Sequence, residues 1–426
     1  MDTLRDRRRS DTGRTAAAVG RPHGRRPGER SEDLYDVLFA SLARRDQRLK
    51  GEQYLRGLLV AEGRKSIRNI AAHLGEAAME QSLHHFVSSS TWDWMPVRAA
   101  LAAHTGRRVA PHALVVRLLS IPKTGERSVG VDRSVDPHLG HAFRGQQAFG
   151  VWQAAPALSV PVHWRLHLPE SWTEDGLRRR RAEIPAELGP ETLEECAVEA
   201  ALEAVRFASG PRRPVVLDLP VSRVGAVLRQ FAAAGVPAVV RVGAETRFTM
   251  EEPALPGHGR GPLPAHRLLS SVAGLRRPAT WTDPAVVGPL PRTSLVAAVR
   301  VSLPGAAPAG AAGTAGTAGG ALLLGEWTDA RSGPAALWVT NTPRVRPETL
   351  LRTTRLTARV DHDLDRYGEA AGLRDFEGRS FRGWHRHITL ASAAHAVRAL
   401  ADLAPAARPY PTAPARRTGY PSALSA

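Results

Sequence analysis

The chain has 426 residues, enough for one large domain or two to three ordinary ones with a real core. Its 58 lysines and arginines outnumber 41 aspartates and glutamates, for a formal net charge of +17, and 43% of residues are hydrophobic. No apolar run is long enough to span a bilayer, no signal peptide is expected, and the single cysteine, Cys196, excludes an internal disulfide and a cysteine-based zinc site. The composition points to a cytoplasmic protein attracted to a polyanion, nucleic acid being the commonest. Lysine occurs only at Lys50, Lys65 and Lys123, so 55 of the 58 cations are arginine, a bias that a GC-rich genome also produces.

Residues 1–33 form a basic Arg/Gly/Pro-rich tail with too little apolar surface to fold alone. From Leu34 to residue 108 the apolar period is helical: Leu34, Val37, Leu38 and Leu42, then Tyr54, Leu55, Leu58 and Leu59, then Ile67, Ile70, Ala71 and Leu74. The period shortens from residue 109. "HALVVRLLSI" and "RSVGV" read as a hairpin turning at Pro122-Lys123-Thr124-Gly125, and "AFGVWQAA" and "VPVHWRLHL" continue the β pattern. A helix with Leu193, Ala197, Ala200 and Ala204 on one stripe precedes the short buried strand "PVVLDLP". A second helix and the strand "PAVVRV" follow, so residues 109–245 read as a mixed α/β domain.

Residues 246–335 are rich in proline and glycine and read as an insertion or linker, with "PGAAPAGAAGTAGTAGG" its low-complexity part. The strand "ALWVTN" resumes the α/β domain over 336–403. Pro347 then opens a long helix with Val360, Leu364, Tyr367 and Ala371 in one stripe, and "FRGWHRHITLASAAHAVRALADL" forms the last helix. Residues 404–426 are a second Pro-rich tail.

Five phrases carry a family resemblance: "EQYLRGLLVAEGRKSIRNIAAHLG", "LHHFVSSSTWDWMPVRAAL", "IPKTGERSVGV", "RLHLPESWTED" and "GLRDFEGRSFRGWHRHITL". Long and collinear, they resemble bacterial insertion-sequence DDE transposases. The resemblance implies a ribonuclease-H-like mixed sheet flanked by helices, a helical DNA-binding module at 34–108, and an insertion before the last catalytic helix. It also implies double-stranded DNA as partner, a homodimer, no membrane contact and a nucleoid-associated location.

Chemistry in that family needs three carboxylates converging on two Mg²⁺ or Mn²⁺ ions, which activate the attacking oxygen and stabilise the leaving one. The first belongs where this chain has Arg117 in "RLLSIPK"; the second matches Asp218 in "VVLDLP"; the third, a glutamate in the resembled motif, is Asp361 in "ARVD". A guanidinium in the middle of an apolar strand is costly unless paired. The hairpin places Arg117 opposite Asp132, so one reading is an Arg117–Asp132/Asp218/Asp361 cluster in place of metal. Arg117 facing solvent is the second reading, and an active transposase using Asp132, Asp218 and Asp361 is the third. A non-catalytic structural or interaction protein, its basicity purely compositional, stands apart from these.

For DNA contact the candidates are Arg56, Arg64, Lys65 and Arg68 in the helical module and Lys123 in the turn. The run Arg178, Arg179, Arg180 and Arg181, and Arg382, His385 and Arg386 in the last motif, complete the set. Cys196 falls on an apolar stripe and reads as inert.

Overall fold

The computed structural model describes residues 34–403 except 76–78, 137–139, 209, 284–290, 304–319 and 330–331. Both expected tails, and most of the low-complexity stretch, lie outside the described residues.

The helical period at the start of the chain produces α1 (residues 34–39), α2 (Arg45–Val60), α3 (Ile67–His73), α4 (Met79–Ser88) and α5 (Trp94–Arg108). Local chemistry sets where two of them begin. The Ser66 hydroxyl accepts from the Asn69 N–H and the Asp93 carboxylate from the Met95 N–H, satisfying donors that a helix start leaves open. Leu38, Tyr54, Leu55, Leu58, Ile70 and Leu83 are buried, as their spacing requires, whereas Val37 is exposed.

Twelve strands then form one sheet: β1 (Ala113–Pro122), β2 (Asp132–Val135), β3 (Ala142–Ala155), β4 (Leu158–Leu166), β5 (Val215–Leu217), β6 (Ala238–Arg241), β7 (Arg247–Met250), β8 (Leu263–Pro264), β9 (Arg277–Thr282), β10 (Pro291–Ser302), β11 (Ala321–Trp327) and β12 (Ala336–Thr340). At its centre β4, β3 and β1 pair antiparallel, and β1, β5 and β6 pair parallel. This is the ribonuclease-H-like mixed sheet. Between β4 and β5 come α6 (Glu170–Thr173), α7 (Gly176–Arg181) and α8 (Leu193–Phe207); α9 (Val224–Ala233) links β5 to β6, and α10 (Ala265–Ser271) follows β8. A reciprocal Thr192–Glu195 capping box starts α8, and Cys196 is buried on its core face.

Two expectations fail here. The hairpin between β1 and "RSVGV" does not form: β1 pairs along its whole length with the fourteen-residue β3, and only β2, beginning at Asp132, pairs, with the start of β3. A long antiparallel partner offers ten paired positions, which a five-residue segment containing Gly130 at φ 76° cannot match. Nor is 246–335 a linker, since it contributes β7 to β11, and β11 and β10 extend the sheet outward from β12. Strand β11 is buried on both faces and therefore lacks the alternation that marks a half-exposed strand.

The long C-terminal helix is interrupted. It runs as α11 (Pro347–Thr354), α12 (Leu356–Asp363), a π-helical turn at Leu364–Gly368 and α13 (Glu369–Ala371), stopped by Gly372 at φ 81°. Val360, Leu364, Tyr367 and Ala371 still face the core. The last helix, α14 (Phe381–Leu403), is buried on nearly every side, against β4, α2, α4 and α5. Helical module and sheet thus share one apolar cluster, and a second cluster on the opposite sheet face lies under α8 and α9.

Candidate active site

Register across three adjacent strands assembles the site. Val116 of β1 pairs with Leu217 of β5, and Leu217 with Val240 of β6. The residues that follow, Arg117, Asp218 and Arg241, therefore form a row on one face, because side chains in register share a face of a pleated sheet. It is the face of Val115, Val216 and Val239, covered by α12, which brings Asp361 over the row.

The Arg117 guanidinium joins both carboxylates. Its Nη1 lies 3.1 Å from Asp218 Oδ2 and its Nε 2.7 Å from Asp361 Oδ1. Arg241 Nη1 donates to the other oxygen of Asp218 at 2.9 Å, and its guanidinium lies 5.9 Å from the Trp338 ring centroid. The Asp218 side chain is only 7% exposed, that of Asp361 42%. Burial pushes the Asp361 carboxyl above its ordinary range, Arg117 pulls it back, and the Asp218 charge adds to the rise. Two carboxylates and two guanidiniums balance in charge, which answers how an arginine is held in this strand.

Asp363, two residues beyond Asp361, has a different task. It is fully buried and accepts from the Ser159 N–H at 2.6 Å and the Ser159 hydroxyl at 2.8 Å, fixing the start of β4 to α12.

Asp132 is not part of the cluster. Gly150, not Asp132, stands opposite Arg117 on β3; Asp132 pairs with Gly145 across the other edge of β3. Five residues of strand separate those two β3 positions, about 17 Å at the usual rise. Its oxygens accept from the Arg133 N–H and the Ser171 hydroxyl, each at 2.7 Å. Among the described residues, no group of three or more His, Cys, Asp or Glu is arranged to hold a metal ion. The residues present therefore do not fit the metal pair: guanidiniums occupy both oxygens of Asp218 and one of Asp361.

The basic candidates divide by what already holds them. Arg56, Arg68, Arg178, Arg180, Arg181 and Arg382 are exposed, and exposed Arg64 pairs with Glu377 at 3.2 Å. Four others already have partners within the protein, Lys65 and His385 buried, Lys123 and Arg179 partly so. Lys65 is buried and donates to the Ala61 carbonyl. Lys123 Nζ donates to the carbonyls of Phe376 at 2.6 Å and Arg374 at 3.2 Å, and burial lowers its pKa to about 8. Arg179 donates to the carbonyls of Thr173, Pro185 and Leu188. His385 is buried, stacked on Trp94 at 4.9 Å, and accepts from Arg98 Nη2 at 3.0 Å. Backbone carbonyls near helix ends attract such cations, and no sequence pattern separates a cation used this way from one facing solvent. Arg386 is also buried but lines a cleft.

Arg241 was missed. Its signal was available in "PAVVRV", where an arginine ends a buried strand as Arg117 interrupts one, but only the register shows that the two share a carboxylate.

The sheet order, with Asp218 after the fourth core strand facing an aspartate on a later helix, defines a protein of the ribonuclease-H-like class. A family model described as DDE superfamily endonuclease matches residues 37–301, more than half of the chain, and the chain belongs to that family. Arg117 and Asp218 fall inside the match and Asp361 beyond it. No curated protein matches the chain.

Proposed function

We propose that this DDE superfamily chain holds double-stranded DNA without cutting it, an ion-pair cluster standing where the family's metal site would be. The observation that carries the reading is the Arg117 guanidinium between Asp218 and Asp361. A guanidinium neutralises charge and donates hydrogen bonds, but it stays protonated and has no open coordination position for water. It therefore cannot generate the metal-bound nucleophile that an in-line phosphoryl displacement needs. Mg²⁺ and Mn²⁺ have no place in this reading.

Exposed Arg56, Arg68, Arg178, Arg180, Arg181 and Arg382 supply the phosphate contacts, and DNA binding in turn accounts for a nucleoid-associated location. Among the described residues no helix is long and apolar enough to cross a membrane. The active alternative with Asp132 as third ligand would require β2 to leave β3 and cross to its other edge.

Two assays test the reading on the purified chain. Plasmid nicking in Mg²⁺ or Mn²⁺ should be absent in the wild type; cleavage that disappears in Asp218→Asn would make this an active nuclease. Affinity for a duplex should fall steeply with salt, log K changing by about −0.9 per log unit of salt for each phosphate contacted. A flat salt dependence would favour the structural or interaction reading.

A further inference from the structure

A cleft of about 320 Å³ opens where the end of α4 meets the first turns of α14 and the segment after α7. Ser88, Ser89, Thr91, Glu183, Arg382 and Arg386 line it. The Arg386 side chain is the unusual member, because its residue is only 2% exposed and yet no carboxylate pairs with it among the described residues. Its Nε donates to the Trp92 carbonyl at 3.1 Å and its Nη1 to the Val87 carbonyl at 3.2 Å, with the guanidinium 5.6 Å from the Trp92 ring centroid. Those bonds fix its orientation and leave Nη2 without a hydrogen-bond acceptor among the described residues. A buried cation held by neutral partners is a strong attractant for an anion.

The surroundings favour the same sign of ligand. Arg382 lies one turn earlier on the same face of α14, four residues from Arg386. Beside the cleft are the first turns of a 23-residue helix, whose start carries partial positive charge. Its Gly383 N–H is satisfied by the Ser380 hydroxyl at 3.1 Å. The Phe381 N–H donates to the Ala182 carbonyl at 2.7 Å, which ties the end of α7 to the start of α14.

We propose that this cleft seats a phosphate group, supplied by the backbone of bound DNA, with Arg386 and Arg382 as its cations and the Ser88, Ser89 and Thr91 hydroxyls as further donors. The DNA source rests on the function proposed above, whereas the phosphate chemistry does not. Glu183 works against the anion from the same cleft. It closes α7, its N–H bonding the Arg180 carbonyl and that of Ile184 the Arg179 carbonyl, with φ at 55° where glycine is the usual residue. No other non-glycine residue among those described has positive φ. An acid kept in a conformation it disfavours, beside two arginines, sets an upper limit on how tightly the cleft holds phosphate.

The test uses the full chain with Arg382→Ala, Arg386→Lys and Glu183→Gln, read by fluorescence anisotropy with a labelled duplex across a salt series. Inorganic phosphate is titrated at constant ionic strength in parallel, with melting temperature as readout. Arg382 is exposed, so its variant stays interpretable if the Arg386 variant folds poorly. Expected are weaker DNA binding and a salt slope smaller by about one in Arg382→Ala, and tighter binding in Glu183→Gln. Phosphate should raise the melting temperature of the wild type more than of Arg382→Ala. Wild-type DNA binding with the affinity and slope unchanged in Arg382→Ala and Glu183→Gln overturns the cleft as a DNA contact and leaves the DNA reading standing. Absent DNA binding with phosphate stabilisation that depends on Arg382 keeps the phosphate site and overturns the DNA source. No effect in either arm overturns the site itself.

Discussion

Acidification from pH 7 to about 4 should unfold this protein cooperatively, with uptake of three to four protons, because four buried histidines are held neutral. His163, His387 and His395 are each essentially inaccessible, and burial lowers their pKa from 6.5 to about 4; His385 is pushed well below 6.5 by burial and by Arg98. Their bonds suit the neutral ring. His163 Nδ1 and His385 Nδ1 both accept from the fully buried Arg98, at 3.3 and 3.0 Å. His387 lies between the Tyr54 hydroxyl and the Gly372 carbonyl, both at 2.8 Å, which assigns the proton to Nε2. His395 Nε2 lies 3.2 Å from the Asp363 carbonyl, and its buried Nδ1 has no hydrogen-bond partner among the described residues.

The sign follows from linkage. Between the unfolded value near 6.5 and the folded values near 4 the unfolded chain binds more protons, so stability is complete above that window and is lost as pH falls through it. Each depressed histidine costs about 3 kcal/mol by pH 4, and three of them about 9, comparable with the whole stability of a typical domain. Circular dichroism against pH, with denaturant melts at pH 7.5, 6 and 5, measures the slope. A stability unchanged between pH 6.5 and 4.5 would contradict the burial argument. Because these histidines join α2, α5 and α14 to β4, the acid transition should separate the helical module from the sheet.

Replacing Arg117 by aspartate should give the second large effect. The substitution removes the bonds to Asp218 and Asp361 and puts a third carboxylate between them, leaving Arg241 on Asp218. Breaking a buried pair from one side costs about 3–5 kcal/mol, and the lower end applies because Asp361 is 42% exposed and partly screened. The melting temperature should fall in metal-free buffer and recover on adding Mn²⁺, by about 2.7 kcal/mol once the ion exceeds its dissociation constant a hundredfold. Arg241 opposes that recovery, so Arg117→Asp combined with Arg241→Gln should bind Mn²⁺ more tightly than the single variant. The wild type should show no Mn²⁺-dependent change in melting temperature. Equal stabilisation of wild type and Arg117→Asp by Mn²⁺ would place the ion outside the cluster and overturn the expected rescue.

Much of the architecture was legible where one physical signal dominated. The 3.6 period marked the helices around Tyr54 and Leu58 and the stripe from Val360 to Ala371. Reading failed where signals conflicted. The turn residues of "PKTG" mimicked a hairpin, yet the ladder went to β3, and the proline-rich surroundings of β10 and β11 concealed strands that extend the sheet. Arg386 and Lys65 look like surface cations in the sequence, and Lys65 is instead bound to a backbone carbonyl while Arg386 is fixed by two of them.

By itself, the sequence indicated a mixed α/β domain through its periods and the family through contiguous phrases, and those phrases set Arg117 at the place where the resemblance implies a carboxylate. What surrounds Arg117 was decided only by tertiary structure. Parallel pairing joins β1 to β5, about a hundred residues on, and β5 to β6, and one step of register would turn Arg117, Asp218 or Arg241 to the opposite face. The same folding carried Asp132 across β3 and brought Asp361 over the row, so a chain with four acids and bases scattered over 245 positions has one charge-balanced site.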